Sequence, residues 1–157
     1  MITLLENVLE RSDGTYISSQ DLATLDRSIE SWQERRDTYD FVQTHETEII
    51  DRVLAMLQEK VPALSQQPDP AAVLAKCRRD LALVLRYSAM SMLFQDEELL
   101  KDRLLYWMQN IIRSLRIQKV TGRVYELLLE DVQEKFPTEK ANQILPYLKI
   151  THEWLSQ

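Results

Sequence analysis

In this 157-residue chain, the side chains whose types and spacing suggest a site lie in Lys76-Cys77-Arg78-Arg79-Asp80 and, two turns on, Arg86-Tyr87. On a helix Cys77, Asp80, Leu81 and Val84 share one face, so a thiol and a carboxylate stand one turn apart in apolar company. Three arginines and a lysine surround them. Neighbouring cations would favour the thiolate, the carboxylate would accept N–H donors, and the arginines would receive acidic groups. That combination suits covalent tethering of an anionic ligand. The same spacing also suits a small buried cysteine with a charged flank, Asp80 pairing locally with an arginine or lysine.

Other chemistries find little support. His45 and His152 fall on well-separated segments, and one cysteine with two scattered histidines has no metal-ligand spacing. The carboxylate pairs Glu97-Glu98 and Glu46/Glu48 sit in charged stretches that read as solvated helix faces. The expectation is a protein that is not an enzyme. Nineteen Lys+Arg against twenty-five Asp+Glu give a net charge of −6, the wrong sign for a general nucleic-acid binder. The longest uncharged stretches, Tyr87 to Gln95 and Leu104 to Ile112, are nine residues each, far short of the roughly twenty a membrane span needs. No basic segment followed by an apolar one opens the sequence, and Cys77 has no internal disulfide partner, so a cytosolic compartment is expected.

The elements that must position these residues are helical. Two glycines, Gly14 and Gly122, are too few for hairpins, tight βα turns or a phosphate cradle. Apolar periodicity predicts a short helix over about 3–12 and a turn at Ser12-Asp13-Gly14. A second helix starts at Ser18/Ser19 and runs without proline or glycine to about Lys60. Pro62, Pro68 and Pro70 bracket a loop, with Pro70 opening the helix over 71–94 that carries the candidate site. Further segments are predicted at 97–115, broken at most once, from about Gly122 to Lys135, and from Thr138 to Leu155, bent or restarted at Pro146. No internal repeat or interdomain linker appears.

Cys77-x-Arg79-Asp80 followed by Leu85-Arg86-Tyr87 resembles the chromophore-helix pattern of the phycobiliproteins (allophycocyanin- or phycocyanin-like), especially their β-type and allophycocyanin-like subunits. The resemblance continues through Asp96, Leu100, Asp102-Arg103, Leu105 and Leu115. Asp13-Gly14-Thr15-Tyr16-Ile17-Ser18-Ser19 is similar to the family's turn after its first helix, and Tyr147-Leu148 to Leu155-Ser156 to its closing helix. The likeness implies an all-α, globin-like helical body with two additional N-terminal helices. About 1–35 would form the assembly helices and about 36–157 the body, within a single domain of 1–157.

It further implies a linear tetrapyrrole (a phycocyanobilin-type bilin) bound by Cys77, Arg79, Asp80, Arg86 and Tyr87. Cys77 would supply a thioether, Asp80 would accept hydrogen bonds from pyrrole N–H groups, and Arg79 would help hold a propionate. On an ideal helix Arg79 lies about 200° from Cys77, so it must curl around to reach the same ligand. Departures accompany the matches. Ala72 and Val73 stand where many β-type members carry arginines, with Lys76 and Arg78 as possible replacements. Gln67 is nearest by count to a usual asparagine, Met90 replaces an aromatic residue, Gln95 replaces a glycine, and Trp107 replaces a small residue. The implied role is light absorption, energy transfer or light sensing by a divergent paralogue. The alternative is a non-pigmented interaction protein assisting phycobilisome assembly, turnover or regulation. Since helix 3–12 is too short to be stable alone, its apolar stripe must pack, either on the chain's own body or, as the likeness of the turn at Asp13-Gly14 favours, on a second subunit. The implied partner is an identical chain or a related phycobiliprotein subunit, within a cytoplasmic phycobilisome at the thylakoid surface.

Overall fold

The computed structural model describes all 157 residues, and every regular element in it is helical. In order these are α1 (Ile2–Arg11), α2 (Ser19–Glu30), α3 (Trp32–Lys60), a 3₁₀ turn (Pro62–Gln66) and α4 (Pro70–Phe94). Then follow α5 (Glu97–Leu100), a π-helical turn (Lys101–Leu105), α6 (Tyr106–Leu115), α7 (Gln118–Lys135) and α8 (Thr138–Leu155). The architecture is the expected all-α one, a globin-like body preceded by two helices.

Local chemistry sets several of the boundaries. Ser18 caps α2 by accepting the Asp21 N–H at 3.1 Å, and Asp69 caps α4 by accepting the Ala72 N–H at 3.0 Å, with Pro70 in the first helical position. At its other end α4 stops on Gln95 in the left-handed region, φ 51°. That conformation is where a glycine would be free and a side chain is strained. Here the Gln95 side chain has a use: its Oε1 accepts from the Ser28 hydroxyl at 3.0 Å, joining α2 to the end of α4.

The core lies where α3 packs on α4 and α7, and α4 and α7 pack on α8. Ile49, Val53 and Leu57 of α3 follow i, i+4 spacing and are fully buried, as are Leu81, Leu85 and Met92 of α4. They meet Leu127, Leu128 and Val132 of α7 and Ile144, Leu148 and Leu155 of α8 in one continuous cluster. Burying such side chains contributes about 1.5–3 kcal/mol each, which is what holds the bundle. A forked ion pair from Arg52 of α3 to the buried Asp131 of α7, at 2.7 and 2.8 Å, fixes the register of those two helices.

Three boundaries differ from the periodicity. The continuous helix expected to Lys60 is interrupted at Ser31. There φ is −84° and ψ 2°, and the Ser31 hydroxyl donates to the Arg27 carbonyl at 3.0 Å. The interruption is held by Arg35, 4% exposed, whose guanidinium donates to the Leu93 carbonyl at 2.8 Å, the Ser28 carbonyl at 2.9 Å and the Ser31 hydroxyl. Gly122 lies inside α7 rather than at its start. A Cβ there would stand 2.9 Å from Ser156 Oγ, so glycine permits close approach of α7 to the end of α8. Pro146 does not restart the expected segment: α8 runs through it without interruption, and Pro146 and Asn142, four residues before it, are both exposed.

The segment 97–115 carries its break as the π turn, which places Leu104 and Leu105 together in the core. The extra residue per turn re-aims α6, so that Trp107, Ile111 and Leu115 face α4 and α7 across a gap. No helix is long and apolar enough to cross a membrane.

Candidate chromophore cleft

That gap is a cleft of about 440 Å³, within the roughly 300–1,000 Å³ usual for small-molecule sites. Its wall from α4 carries Val73, Lys76, Cys77, Arg79 and Asp80, and its wall from α6 carries Trp107, Met108, Ile111 and Ile112. Val120, Thr121, Val124 and Tyr125 of α7 form the floor, and Leu64 and Gln67 close one end. Most of the lining is apolar, and the polar groups converge on the α4 side.

Cys77 is half-buried and unpaired. Burial pushes its thiol pKa up, and the nearby Asp80 carboxylate raises it further. The thiolate expected from the flanking cations is therefore not favoured: the three arginines are engaged with carboxylates. Arg78 points away to Asp51 of α3, and Arg86 forks onto Glu46 of α3 at 2.9 and 2.6 Å. Arg79 does curl back as its position demands, its Nε and Nη2 reaching Asp80 Oδ1 at 3.1 and 2.9 Å. Both partners remain open to solvent, the Arg79 side chain 69% and that of Asp80 39% exposed. Such a pair is worth about 0–1 kcal/mol and is easily exchanged for another contact.

Of the five residues picked out from the sequence, the structure brings Cys77, Arg79 and Asp80 together at one cleft. Arg86 and Tyr87 line a different groove between α3 and α4, with Tyr39, Val42 and Glu46. Lys76 faces the cleft and Arg78 does not, so only the lysine stands where the absent arginines of Ala72 and Val73 could be replaced. Gln67 is at the cleft's end. Trp107 does not fill the space: it stands at the rim, 41% exposed, its indole N–H donating to the Arg103 carbonyl at 2.8 Å.

Two lining residues had no signal in the sequence. Met108 and Tyr125 belong to ordinary apolar stripes of α6 and α7, and only the crossing of those helices over α4 brings them to the site.

A helical body of this order, with an apolar cleft opening on a cysteine–aspartate turn of its fourth helix, defines the class expected of the phycobiliprotein pattern. The family described as Phycobilisome protein matches residues 10–155, and the chain belongs to that family. It is 27% identical over 120 residues to the C-phycocyanin beta chain of Aglaothamnion neglectum, across 73% of this chain and 70% of that one. To the R-phycocyanin-1 beta chain of Porphyridium purpureum it is 26% identical over the same length, with the same coverage. Membership sets the chain among the structural proteins of the phycobilisome rather than among enzymes.

Proposed function

We propose that the cleft holds a linear tetrapyrrole tethered to Cys77, and that the protein absorbs light for harvesting, transfer or sensing. The observation that carries this reading is the meeting of Cys77, Asp80 and Arg79 at one apolar, ligand-sized cleft. A bilin supplies an extended conjugated system whose absorption depends on its conformation and protonation. Cys77 adds its sulfur to one carbon of an exocyclic double bond while the thiol proton goes to the other, so no oxidant is consumed. The Asp80 carboxylate accepts from ring N–H groups and favours their protonated form. Arg79, released from Asp80, and Lys76 receive acidic groups at the rim. Arg86 and Tyr87 support the body through α3 rather than the pigment.

The raised Cys77 pKa has a consequence. Attachment without assistance is slow at neutral pH and accelerates as the solution is made alkaline. Production of the protein with and without a bilin-synthesis pathway tests the reading. A zinc-fluorescent band should survive denaturation and vanish in Cys77→Ala; protein that stays colourless at neutral and alkaline pH, and with attachment enzymes supplied, would overturn it.

A second reading, assembly through the N-terminal helices, is supported by a separate observation. Leu5, Leu9, Leu22 and Ile29 of α1 and α2 are all exposed, Leu9 and Ile29 to 67%. A second copy or a related subunit covering this face would bury them, within a phycobilisome at the thylakoid surface or in a non-pigmented role. Sedimentation should show an oligomer that Leu9→Glu with Ile29→Glu dissociates; a monomer at high concentration argues against it.

A further inference from the structure

Tyr125 differs from the other residues of the cleft floor. It is 3% exposed, and its hydroxyl finds only the Met108 thioether sulfur, at 3.7 Å. A buried tyrosine O–H ordinarily has an oxygen or nitrogen partner, and a thioether is a weak acceptor. Burial drives the phenol's pKa far up, with Asp80 and Cys77 nearby adding to the effect, so the group stays neutral and remains a donor.

The cleft therefore presents two complementary groups beside Cys77. Asp80 is an acceptor with a weakly held partner, and Tyr125 is a donor with almost none. Anionic groups have their own receivers in Lys76 and Arg79. What a neutral donor next to a carboxylate selects is a neutral acceptor carried alongside N–H groups, which is the edge of a lactam or amide. An anion at the same point would meet repulsion from Asp80.

We propose that Tyr125 orients the ligand, its hydroxyl donating to a carbonyl oxygen of the flat, conjugated molecule seated beside Cys77 and Asp80. This inference rests on the cleft reading above and adds to it a residue and a ligand group. Tyr125→Phe removes the hydroxyl and keeps the ring, so the floor of the cleft stays filled.

The test uses the full chain in a Cys77→Ala background, where tethering cannot mask affinity, titrated with free phycocyanobilin and followed by tryptophan quenching and visible absorption. Adding Tyr125→Phe should weaken binding about 3- to 10-fold, the worth of one hydrogen bond, and shift the absorption band. The flat, carbonyl-free probe N-phenyl-1-naphthylamine should bind both proteins equally, and their ligand-free urea midpoints should coincide. Equal phycocyanobilin affinity with an unchanged band overturns the inference and leaves the cleft reading standing. Loss of affinity for both probes, or a fall in the ligand-free midpoint, overturns it by making Tyr125 a shaping residue. A Tyr125-containing protein that takes up no phycocyanobilin overturns the cleft reading and this inference together.

Discussion

At the C-terminal end of α4 the Leu93 carbonyl receives the Arg35 guanidinium, and the Phe94 carbonyl receives the Met1 ammonium. Asp96, just beyond, accepts from the Thr3 N–H and hydroxyl at 2.9 Å each and from the Leu99 N–H at 3.2 Å. In the N-terminal half of the same helix Asp80 has one exposed neighbour, Arg79. One end of α4 is sealed, with positive charge set against the carbonyls where a helix dipole is negative. The cleft-facing turn at Asp80 is left open with its groups only loosely held. The contrast teaches how to tell a structural carboxylate from one available to a ligand. Asp96 is 4% exposed and fully engaged, so its removal should cost stability; Asp80 is accessible and lightly paired, so its removal should cost little stability and leaves its proposed contact with a ligand to be tested.

The largest effect belongs to the sealed end. Arg35→Ala strips the buried Ser28 carbonyl and the half-buried Leu93 carbonyl of their donors and should lower stability by about 3–5 kcal/mol, read from urea unfolding. A loss under 1 kcal/mol would mean that the seal is incidental. Next is Asp96→Ala, which removes the cap of α5 together with the Thr3 contacts and should cost about 2–3 kcal/mol. Burial pushes the Asp96 pKa up, but the Thr3 and Leu99 donors and the α-ammonium outweigh it and leave it below the ordinary carboxylate value. Its stabilisation is thus complete at neutral pH and is lost as pH falls below about 4. Hydrogen exchange at Val8 of α1 should accelerate in that range, and the acid step should disappear in Asp96→Asn.

At the open turn, Asp80→Asn should change stability by no more than about 0.5 kcal/mol. It should still blue-shift and dim a bound pigment, and it should speed alkylation of Cys77 at pH 8, because the carboxylate that raises the thiol's pKa is gone. An unchanged alkylation rate would separate Asp80 from Cys77 electrostatically. The smallest effect lies between the two ends. Ser88 and Ser91 of α4 are fully buried, and their hydroxyls have no protein partner. Ser88→Ala should be neutral or stabilise by up to about 1 kcal/mol, seen as a slight rise in Tm; a clear loss would reveal a structural role for that hydroxyl.

Much of this was legible in the residues. The helices of the body announced themselves by i, i+4 stripes such as Ile49-Val53-Leu57, and α2 and α4 by the start signals Ser18 and Pro70, whereas the Asp69 cap emerged from the structure. Cys77 and Asp80 could be placed on one face because 3.6 residues per turn leaves no other arrangement. The break at Ser31 was hidden, because its cause is a carbonyl on α4 reached by Arg35. Gly122 was misplaced for a similar reason, since what demands a glycine there is Ser156 on another helix.

Sequence alone determined the all-α class, the four-residue neighbourhood of the thiol and the family pattern, because each depends on local spacing and backbone chemistry. Tertiary structure alone decided which charges remain available. Arg78 and Arg86 read as site arginines until α3 supplied Asp51 and Glu46 to hold them. Tyr125 carries no mark in the sequence; only the crossing of α6 and α7 over α4 leaves its hydroxyl without a partner but a sulfur. Whether a polar group is satisfied is a property of contacts distant in the chain, and no local pattern records it.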